Sequence, residues 1–194
     1  MVQEQESTWI VQAQQGNPQA FTVLVEAYQR PVYNLCYRML GNAQDAEDAA
    51  QETFLKAYRS MHKYDNNRPF PTWILSIAAH HCIDQIRRRR LPLVAIEELP
   101  VPDIPEKSPG METKLSEKEE RSRIRALLTV LDPTDRALVV MYYWYDFSYQ
   151  EIGQALKLTE SAVKSRLHRA RRAMAQRWLE SGPAPSLAAE RILA

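Results

Sequence analysis

The chain has 194 residues and a net charge of +1, with 45% apolar and 25% charged residues, the composition of an ordinary globular protein. Five glycines are too few for a turn-rich β architecture, and the polar, acidic start is unlike a signal peptide. The most apolar stretch, Ala137–Tyr145, is too short to span a bilayer. We therefore expect an all-α protein that stays in the cytoplasm and does not insert into a membrane.

The charges are unevenly distributed along the chain. Residues 1–54 carry seven acidic side chains against two arginines, whereas Arg87–Arg90 is an unbroken basic run. Residues 161–178 carry six basic side chains and no acidic one. The near-neutral total therefore hides two basic surfaces, which is typical of a protein that touches DNA at two places.

The first half of the chain predicts a series of helices. Ser7 can cap the first, and Asn17-Pro18 is a cap followed by the first helical position, where proline is tolerated. Pro31 predicts the start or a bend of a further helix, which Gly41-Asn42 ends. An apolar stripe at helical spacing predicts another helix over residues 72–90.

A proline-rich, acidic stretch divides the chain. Five of the twelve prolines lie within residues 91–115, and proline lacks the amide hydrogen that a helix needs. We expect residues 91–115 to be a flexible linker between two small helical domains, residues 1–90 and 116–180. Residues 181–194 then form a short tail.

The second half predicts a helix-turn-helix. Asp132-Pro133 restarts a helix, and Ser148 with Glu151 forms a capping box at the start of a short one. A break at Lys157–Thr159 leads into a long basic helix over residues 160–179. A short helix, a tight break and a longer basic helix are the parts of a helix-turn-helix.

The long basic helix has an inner and an outer side. Val163, Leu167, Ala170 and Met174 recur at helical spacing and are expected to pack inwards. The polar and basic residues that we expect to contact DNA are Ser161, Lys164, Ser165, Arg166, His168, Arg169 and Arg172.

Within this set the roles differ. Lys164, Ser165 and His168 are candidates for base edges in the major groove, whereas Arg169 and Arg172 suit phosphates. The alternative is a solvated charged face, which we favour less because the capped short helix, the break and the lack of acidic residues coincide.

Three stretches, in order, resemble one family. Residues 148–153 with 161–171 resemble the promoter-recognition helix-turn-helix of extracytoplasmic-function sigma factors of RNA polymerase. Residues 45–58 are similar to the polymerase-binding helix of that family, and residues 72–78, with Ile83-Asp84 and the arginine run, are similar to its DNA-melting helix. The resemblance covers nearly the whole chain, and it implies promoter-specific transcription initiation.

The resemblance implies a polymerase-docking face. Asp48, Gln51 and Glu52, together with Leu55, match positions that bind the clamp helices of the polymerase's largest subunit. Positions i, i+3 and i+4 share one helix face, so these side chains can meet one partner. The alternative is an ordinary solvated acidic face.

The resemblance also implies capture of the melted -10 element. The residues expected to contact it are Lys63, Asn66, Asn67, Arg68, His80, Arg87 and Arg88. Phe70 and Trp73 are expected in the core rather than as stacking platforms. Because the family often has asparagine where this chain has His80, the identity of the captured base stays open.

Further partners follow from the resemblance alone. They are the flap of the polymerase's second-largest subunit, promoter DNA and an anti-sigma factor, which in this family is often tethered to the membrane.

Two alternative functions remain at this point. A stand-alone helix-turn-helix regulator would share the C-terminal motif, but it would not need the Gln51-Glu52 helix. An enzyme is disfavoured because no glycine-rich phosphate loop, G-x-S-x-G or H-E-x-x-H motif occurs.

We expect no cofactor and no metal site. His80, His81 and Cys82 are consecutive helical residues that point apart, so they cannot converge on one ion. Cys36 and Cys82 are expected to be buried, reduced thiols.

Overall fold

The computed structural model describes residues 2–90 and 122–181, and the regular secondary structure within them is helical throughout. The N-terminal domain contains α1 (Val2–Gln14), α2 (Pro18–Leu40), α3 (Ala43–Ser60), a 3-10 turn (Met61–Lys63) and α4 (Phe70–Arg90). The C-terminal domain contains α5 (122–129), α6 (Pro133–Tyr145), α7 (Tyr149–Leu156) and α8 (Glu160–Ser181). The all-α prediction with two helical domains is confirmed, whereas the linker and the tail lie outside the described residues.

Local signals set several helix ends as predicted. The Asn17 side chain accepts hydrogen bonds from the amides of Gln19 and Ala20 at 3.0 and 3.2 Å, which caps α2. At the other end Gly41 has φ +87°, a left-handed conformation that glycine adopts without a steric penalty. Asn42 then accepts from the Asp45 amide at 2.7 Å and starts α3.

Two predictions of helix boundaries are wrong, and at Pro31 one of the two alternatives, a new helix start, is excluded. α1 begins at Val2, so Ser7 lies inside it rather than at its cap. α2 runs through Pro31 without a new start, because apolar residues on both sides of the proline are buried in one core. That burial outweighs the loss of one intrahelical hydrogen bond. α4 begins at Phe70, two residues earlier than predicted, with Pro71 in the first turn, where its missing N–H is not needed.

α2 forms the centre of the N-terminal domain and packs against α1, α3 and α4. Its fully buried face includes Val32, Leu35 and Met39. α3 presents small residues to α2, Ala46 and Ala49 among them, which lets the two helices approach closely. Cys36 and Cys82 are buried free thiols, as predicted.

The C-terminal domain packs α8 against α6 and α7. Val163, Leu167, Ala170 and Met174 are buried, which confirms the predicted inner side of the basic helix. The break before that helix depends on a close backbone contact. Lys157 has a left-handed backbone with φ +57°, and the Leu158 amide donates to the Gly153 carbonyl at 2.8 Å. A Cβ on Gly153 would lie 2.7 Å from the Leu158 carbonyl oxygen, so only glycine fits there without a shift.

The two domains also contact each other directly. Arg136 on α6 is buried and donates to the Met39 carbonyl at 2.6 Å, near the C-terminal end of α2, where the helix dipole favours a cation. The Tyr145 hydroxyl donates to the Pro31 carbonyl at 2.6 Å. The sequence predicts two tethered domains and does not indicate this interface.

Within the parts of the chain that the structure covers, 2–90 and 122–181, none of the helices combines the length and the apolar character needed to cross a membrane.

Candidate nucleic-acid and partner interfaces

Helix α8 presents a polar face opposite its buried stripe. Its first turn is capped by the Thr159 hydroxyl, which accepts from the Ala162 amide at 3.2 Å. The Ser148–Glu151 capping box predicted for α7 is present, with both reciprocal bonds. The exposed side chains that the helix brings together opposite its buried stripe are Ser161, Lys164, Ser165, His168, Arg169 and Arg172.

Lys164 is held in place by two neighbours. Its ammonium lies 3.2 Å from the Glu160 carboxylate and 5.5 Å from the centre of the Tyr149 ring. The Tyr149 ring in turn stacks on Tyr142 with ring centres 5.5 Å apart. Sequence reasoning missed this arrangement, although the aromatic run in residues 142–145 was a visible signal for it.

The two arginines on the flanks of α8 have partners on α6. Arg166, a predicted DNA contact, donates to the Asp135 carboxylate at 2.7 Å and is half-buried. Arg171 donates through Nε to the Tyr143 hydroxyl at 2.7 Å. These contacts fix the rotation of α8 on the domain, so the face opposite the buried stripe keeps one orientation.

The predicted polymerase-docking residues share the outer face of α3. Asp48, Gln51, Glu52 and Leu55 are all exposed, whereas Thr53 between them is buried. Leu55 is 49% exposed and adds an apolar side chain to this otherwise polar face. The structure therefore brings these four side chains together on one accessible surface.

Lys56 of α3 and His81 of α4 are in contact where the two helices meet, beside this face. The Nζ atom of Lys56 is 2.8 Å from Nδ1 of His81. Burial and then the neighbouring ammonium lower the pKa of His81, so the imidazole stays neutral at physiological pH. Sequence reasoning did not connect these two residues.

The 3-10 turn and the loop between it and α4 carry four of the predicted -10 contacts. Lys63, Asn66, Asn67 and Arg68 are all exposed. The Asp65 carboxylate accepts from the Asn67 amide at 3.0 Å and from the Asn67 side chain at 2.9 Å, which gives the loop a local turn.

An aromatic cluster packs at the base of this loop. The Tyr64 ring packs against Phe70 and Trp73, with ring centres 5.4 and 4.9 Å away. Burial raises the pKa of the Tyr64 phenol to about 12. Phe70 is buried, as predicted, and Trp73 is half-buried in the same cluster.

The remaining predicted -10 residues lie along α4. His80 is half-buried, and its Nδ1 lies 2.8 Å from the Ser76 carbonyl. Arg87 donates to the Thr134 hydroxyl of the C-terminal domain at 3.1 Å, and Arg88 is exposed. Arg89 forms a bidentate pair with Asp45 on α3 at 2.6 and 2.7 Å. The arginines of this run therefore differ in their contacts: Arg87 contacts the C-terminal domain, Arg89 contacts α3, and Arg88 is exposed to solvent.

Among the residues that the structure describes, no three histidine, cysteine or acidic side chains are grouped as metal ligands would be.

Two family models match the chain in the order that the sequence predicted. Sigma-70 region 2 matches residues 24–91, and Sigma-70 region 4 matches residues 121–174. Together with the all-helical, two-domain fold, these matches define a sigma factor.

Curated relatives identify the branch. The chain is 34% identical over 172 residues to the ECF RNA polymerase sigma factor SigW of Bacillus subtilis, across 85% of this chain and 92% of that protein. It is 36% identical over 149 residues to the ECF RNA polymerase sigma factor SigE of Mycolicibacterium smegmatis, across 76% of this chain and 57% of that protein. The chain belongs to the extracytoplasmic-function (ECF) sigma factor family, and its function is promoter-specific transcription initiation.

Solved structures agree on the fold. The chain resembles CnrH in complex with the cytosolic domain of CnrY, with a TM-score of 0.69 at 23% identity, over 92% of this chain and 99% of that one. It also resembles the sigma factor RpoE of Bartonella quintana in complex with the anti-sigma factor NepR, with a TM-score of 0.61 at 18% identity, over 84% and 98%. At these identities the likeness concerns the fold alone.

Proposed function

We propose that this sigma factor divides promoter recognition between its two domains. The N-terminal domain binds core RNA polymerase and captures the melted -10 element, and the C-terminal domain reads the -35 element. The observation that carries this proposal is the exposed face of α3 with Asp48, Gln51, Glu52 and Leu55, because a stand-alone DNA-binding regulator would not need it.

Polymerase docking uses the face of α3 just named. Two carboxylates, one amide and one apolar side chain can meet a basic helical surface with an apolar centre, such as the clamp helices of the largest subunit. Because Thr53, Ala49 and Ala57 anchor the other side of α3 in the core, this face needs little rearrangement on binding. We assign a second contact, to the flap of the second-largest subunit, to the C-terminal domain.

Capture of the -10 strand is assigned to the loop before α4 and to α4 itself. Lys63 and Arg68 supply positive charge for the backbone, and Asn66 and Asn67 supply amides that can bond the edge of an unpaired base. His80, Arg87 and Arg88 extend this surface along α4 towards duplex DNA.

Recognition of the -35 element is assigned to α8. Lys164, Ser165 and His168 lie in the first half of the helix and are assigned to base edges in the major groove. Ser161, Arg169 and Arg172 are assigned to the flanking phosphates. Arg166, which pairs with Asp135, reaches DNA under this proposal only if that pair opens.

Several further assignments belong to the same proposal. The domains span residues 1–90 and 116–180, with a linker over 91–115 and a tail over 181–194. The chain itself catalyses no reaction and acts in the cytoplasm, where RNA polymerase works. The complex of RpoE with the anti-sigma factor NepR supports control by an anti-sigma factor.

The experiment that tests this function is runoff transcription with purified core polymerase on a genomic DNA library. We expect wild-type protein to start RNA chains at a defined set of sites. The double change Gln51→Ala, Glu52→Ala is expected to weaken polymerase binding at least tenfold, or about 1.4 kcal/mol, without a loss of thermal stability.

A matched control removes the same two residue types from another exposed surface. Gln19 and Glu26 are exposed on α2, and their replacement by alanine is expected to leave transcription unchanged. If wild-type protein fails to form a complex with core polymerase on gel filtration and starts no specific RNA, the chain is a stand-alone regulator instead and the proposal fails.

A further inference from the structure

Gln14, the last residue of α1, contacts the loop to which we assign -10 capture. Its Nε2 donates to the Tyr64 carbonyl at 2.8 Å, and its Oε1 accepts from the Asn66 side chain at 3.0 Å. The two bonds span 50 and 52 positions of sequence. Gln14 also lies before the Sigma-70 region 2 match, which begins at residue 24.

One of the two bonds reaches the base of the loop at Tyr64, and the other reaches its exposed part at Asn66. The base of the loop is held by the Tyr64 ring against Phe70 and Trp73, and the Tyr64 hydroxyl donates to the Arg68 carbonyl. Asn66 lies at the exposed tip, away from this aromatic support. The hydrogen bond from Asn66 to Gln14 connects the tip of the loop to α1, whereas the hydrogen bonds between Asp65 and Asn67 lie within the loop.

Helix α1 is itself held in place by the core of the domain. Ile10 and Ala13 are buried in the core, and the Tyr28 hydroxyl of α2 donates to the Glu6 carboxylate of α1. Gln14 itself is half-buried, so its side chain has fewer rotamers available than an exposed glutamine.

We propose that Gln14 is a positioning residue for the captured -10 base. It holds the Asn66 carboxamide by one N–H, which leaves the carbonyl oxygen and the second N–H of that amide for the edge of an unpaired base. Holding the amide before DNA arrives lowers the entropy cost of binding and favours bases that match the fixed donor and acceptor. This inference rests on the proposed function, because it assigns Gln14 a task within the -10 site.

The test uses full-length sigma bound to core polymerase and a pool of single-stranded DNA oligonucleotides with a randomised segment. Bound and unbound pools are sequenced to obtain the base preference at each position. Gln14→Ala is expected to reduce the preference at one position about five- to tenfold, the factor expected for one to two lost hydrogen bonds. Affinity for duplex DNA and for core polymerase is expected to stay within twofold of wild type.

Two further variants separate positioning from folding. Gln15→Ala removes the same side chain from the adjacent exposed position and is expected to retain the wild-type preference. Gln14→Glu keeps an acceptor for Asn66 but cannot donate to the Tyr64 carbonyl, and an intermediate preference is expected. In the Asn66→Ala background, Gln14→Ala is expected to change the preference less than twofold.

Each contrary outcome has a definite meaning. A Gln14→Ala holoenzyme with the wild-type preference overturns the positioning role while the proposed function stands. The positioning role is also overturned if base preference, duplex affinity and thermal stability fall together in the Gln14→Ala variant. It is likewise overturned if the effects of Gln14→Ala and Asn66→Ala on base preference are strictly additive. If the wild-type holoenzyme selects no sequence from the pool, the -10 assignment itself fails, and the inference fails with it.

Discussion

Arg136 of the C-terminal domain donates a 2.6 Å hydrogen bond to the carbonyl of Met39 near the end of α2. A second nitrogen of the same guanidinium donates to the Thr129 carbonyl at 3.2 Å. A buried cation at a helix C-terminus thus joins two domains that the chain connects only through the segment between α4 and α5.

Replacing Arg136 by methionine is expected to loosen this interface. The change keeps most of the apolar volume but leaves the two carbonyls without their donor, at a cost of about 1–3 kcal/mol. Urea unfolding measures the loss of stability, and small-angle X-ray scattering measures the expected increase in radius of gyration. Arg59→Met on the exposed end of α3 is the control, and equal effects of the two changes would contradict the interface role.

The contact between Lys164 and Tyr149 is expected to matter for -35 recognition. Lys164→Ala should change base preference in a randomised duplex library, because Lys164 is assigned to a base edge. Tyr149→Leu should give a smaller change in the same direction, since an exposed cation–π contact contributes about 0.5–1 kcal/mol. A double-mutant cycle on duplex binding measures the coupling, and strictly additive effects would show that the ring does not orient the ammonium.

Arg172 is expected to act on affinity rather than on sequence preference. Arg172→Ala removes one phosphate contact, so all duplexes should bind more weakly by a similar factor. The slope of the logarithm of the binding constant against the logarithm of salt concentration should become shallower by about 1. Arg177→Ala, farther along α8, is the control variant. An altered base preference after Arg172→Ala would refute the assignment of Arg172 to a phosphate.

The pair of Asp45 and Arg89 is expected to make stability depend on pH. The hydrogen bonds from Arg89 lower the pKa of Asp45 in the folded chain. Its contribution is therefore complete above the unfolded pKa of about 3.9 and is lost as pH falls through the lower folded value.

Asp45→Asn should remove that part of the acid dependence. At neutral pH we expect a loss of about 0.5–1 kcal/mol, because Arg89 is partly exposed to solvent. Thermal unfolding between pH 3 and 7 tests this. A variant curve that runs parallel to the wild-type curve down to pH 3 would rule out the linkage, and Glu26→Gln on α2 is the control.

Gly153 is expected to tolerate no side chain. Gly153→Ala places a Cβ against the Leu158 carbonyl oxygen, and the backbone of the turn must move, at a cost of about 1–3 kcal/mol. Circular dichroism during heating measures the loss. Gln154→Ala at the exposed neighbouring position should have almost no effect, and a stable Gly153→Ala protein would mean that the turn can open without penalty.

Much of the fold is predictable because its signals are local. Asn17, Asn42 and Ser148 cap helices through bonds to residues two or three positions away, and the buried stripe of α8 follows from helical spacing alone. The exposed faces of α3 and α8 follow in the same way, since the side of a helix opposite its core stripe faces solvent. Packing overrides a local signal at Pro31, where the helix continues instead of starting anew.

The amino-acid sequence by itself therefore determined the helices, their inner and outer faces, the two-domain order and, through its motifs, the family. Tertiary structure alone decided which distant side chains meet: Gln14 with Asn66, Asp45 with Arg89, and Met39 with Arg136. Such pairs have no fixed spacing along the chain. They depend on how whole helices pack against one another to bury apolar surface, and that packing is a property of the complete core.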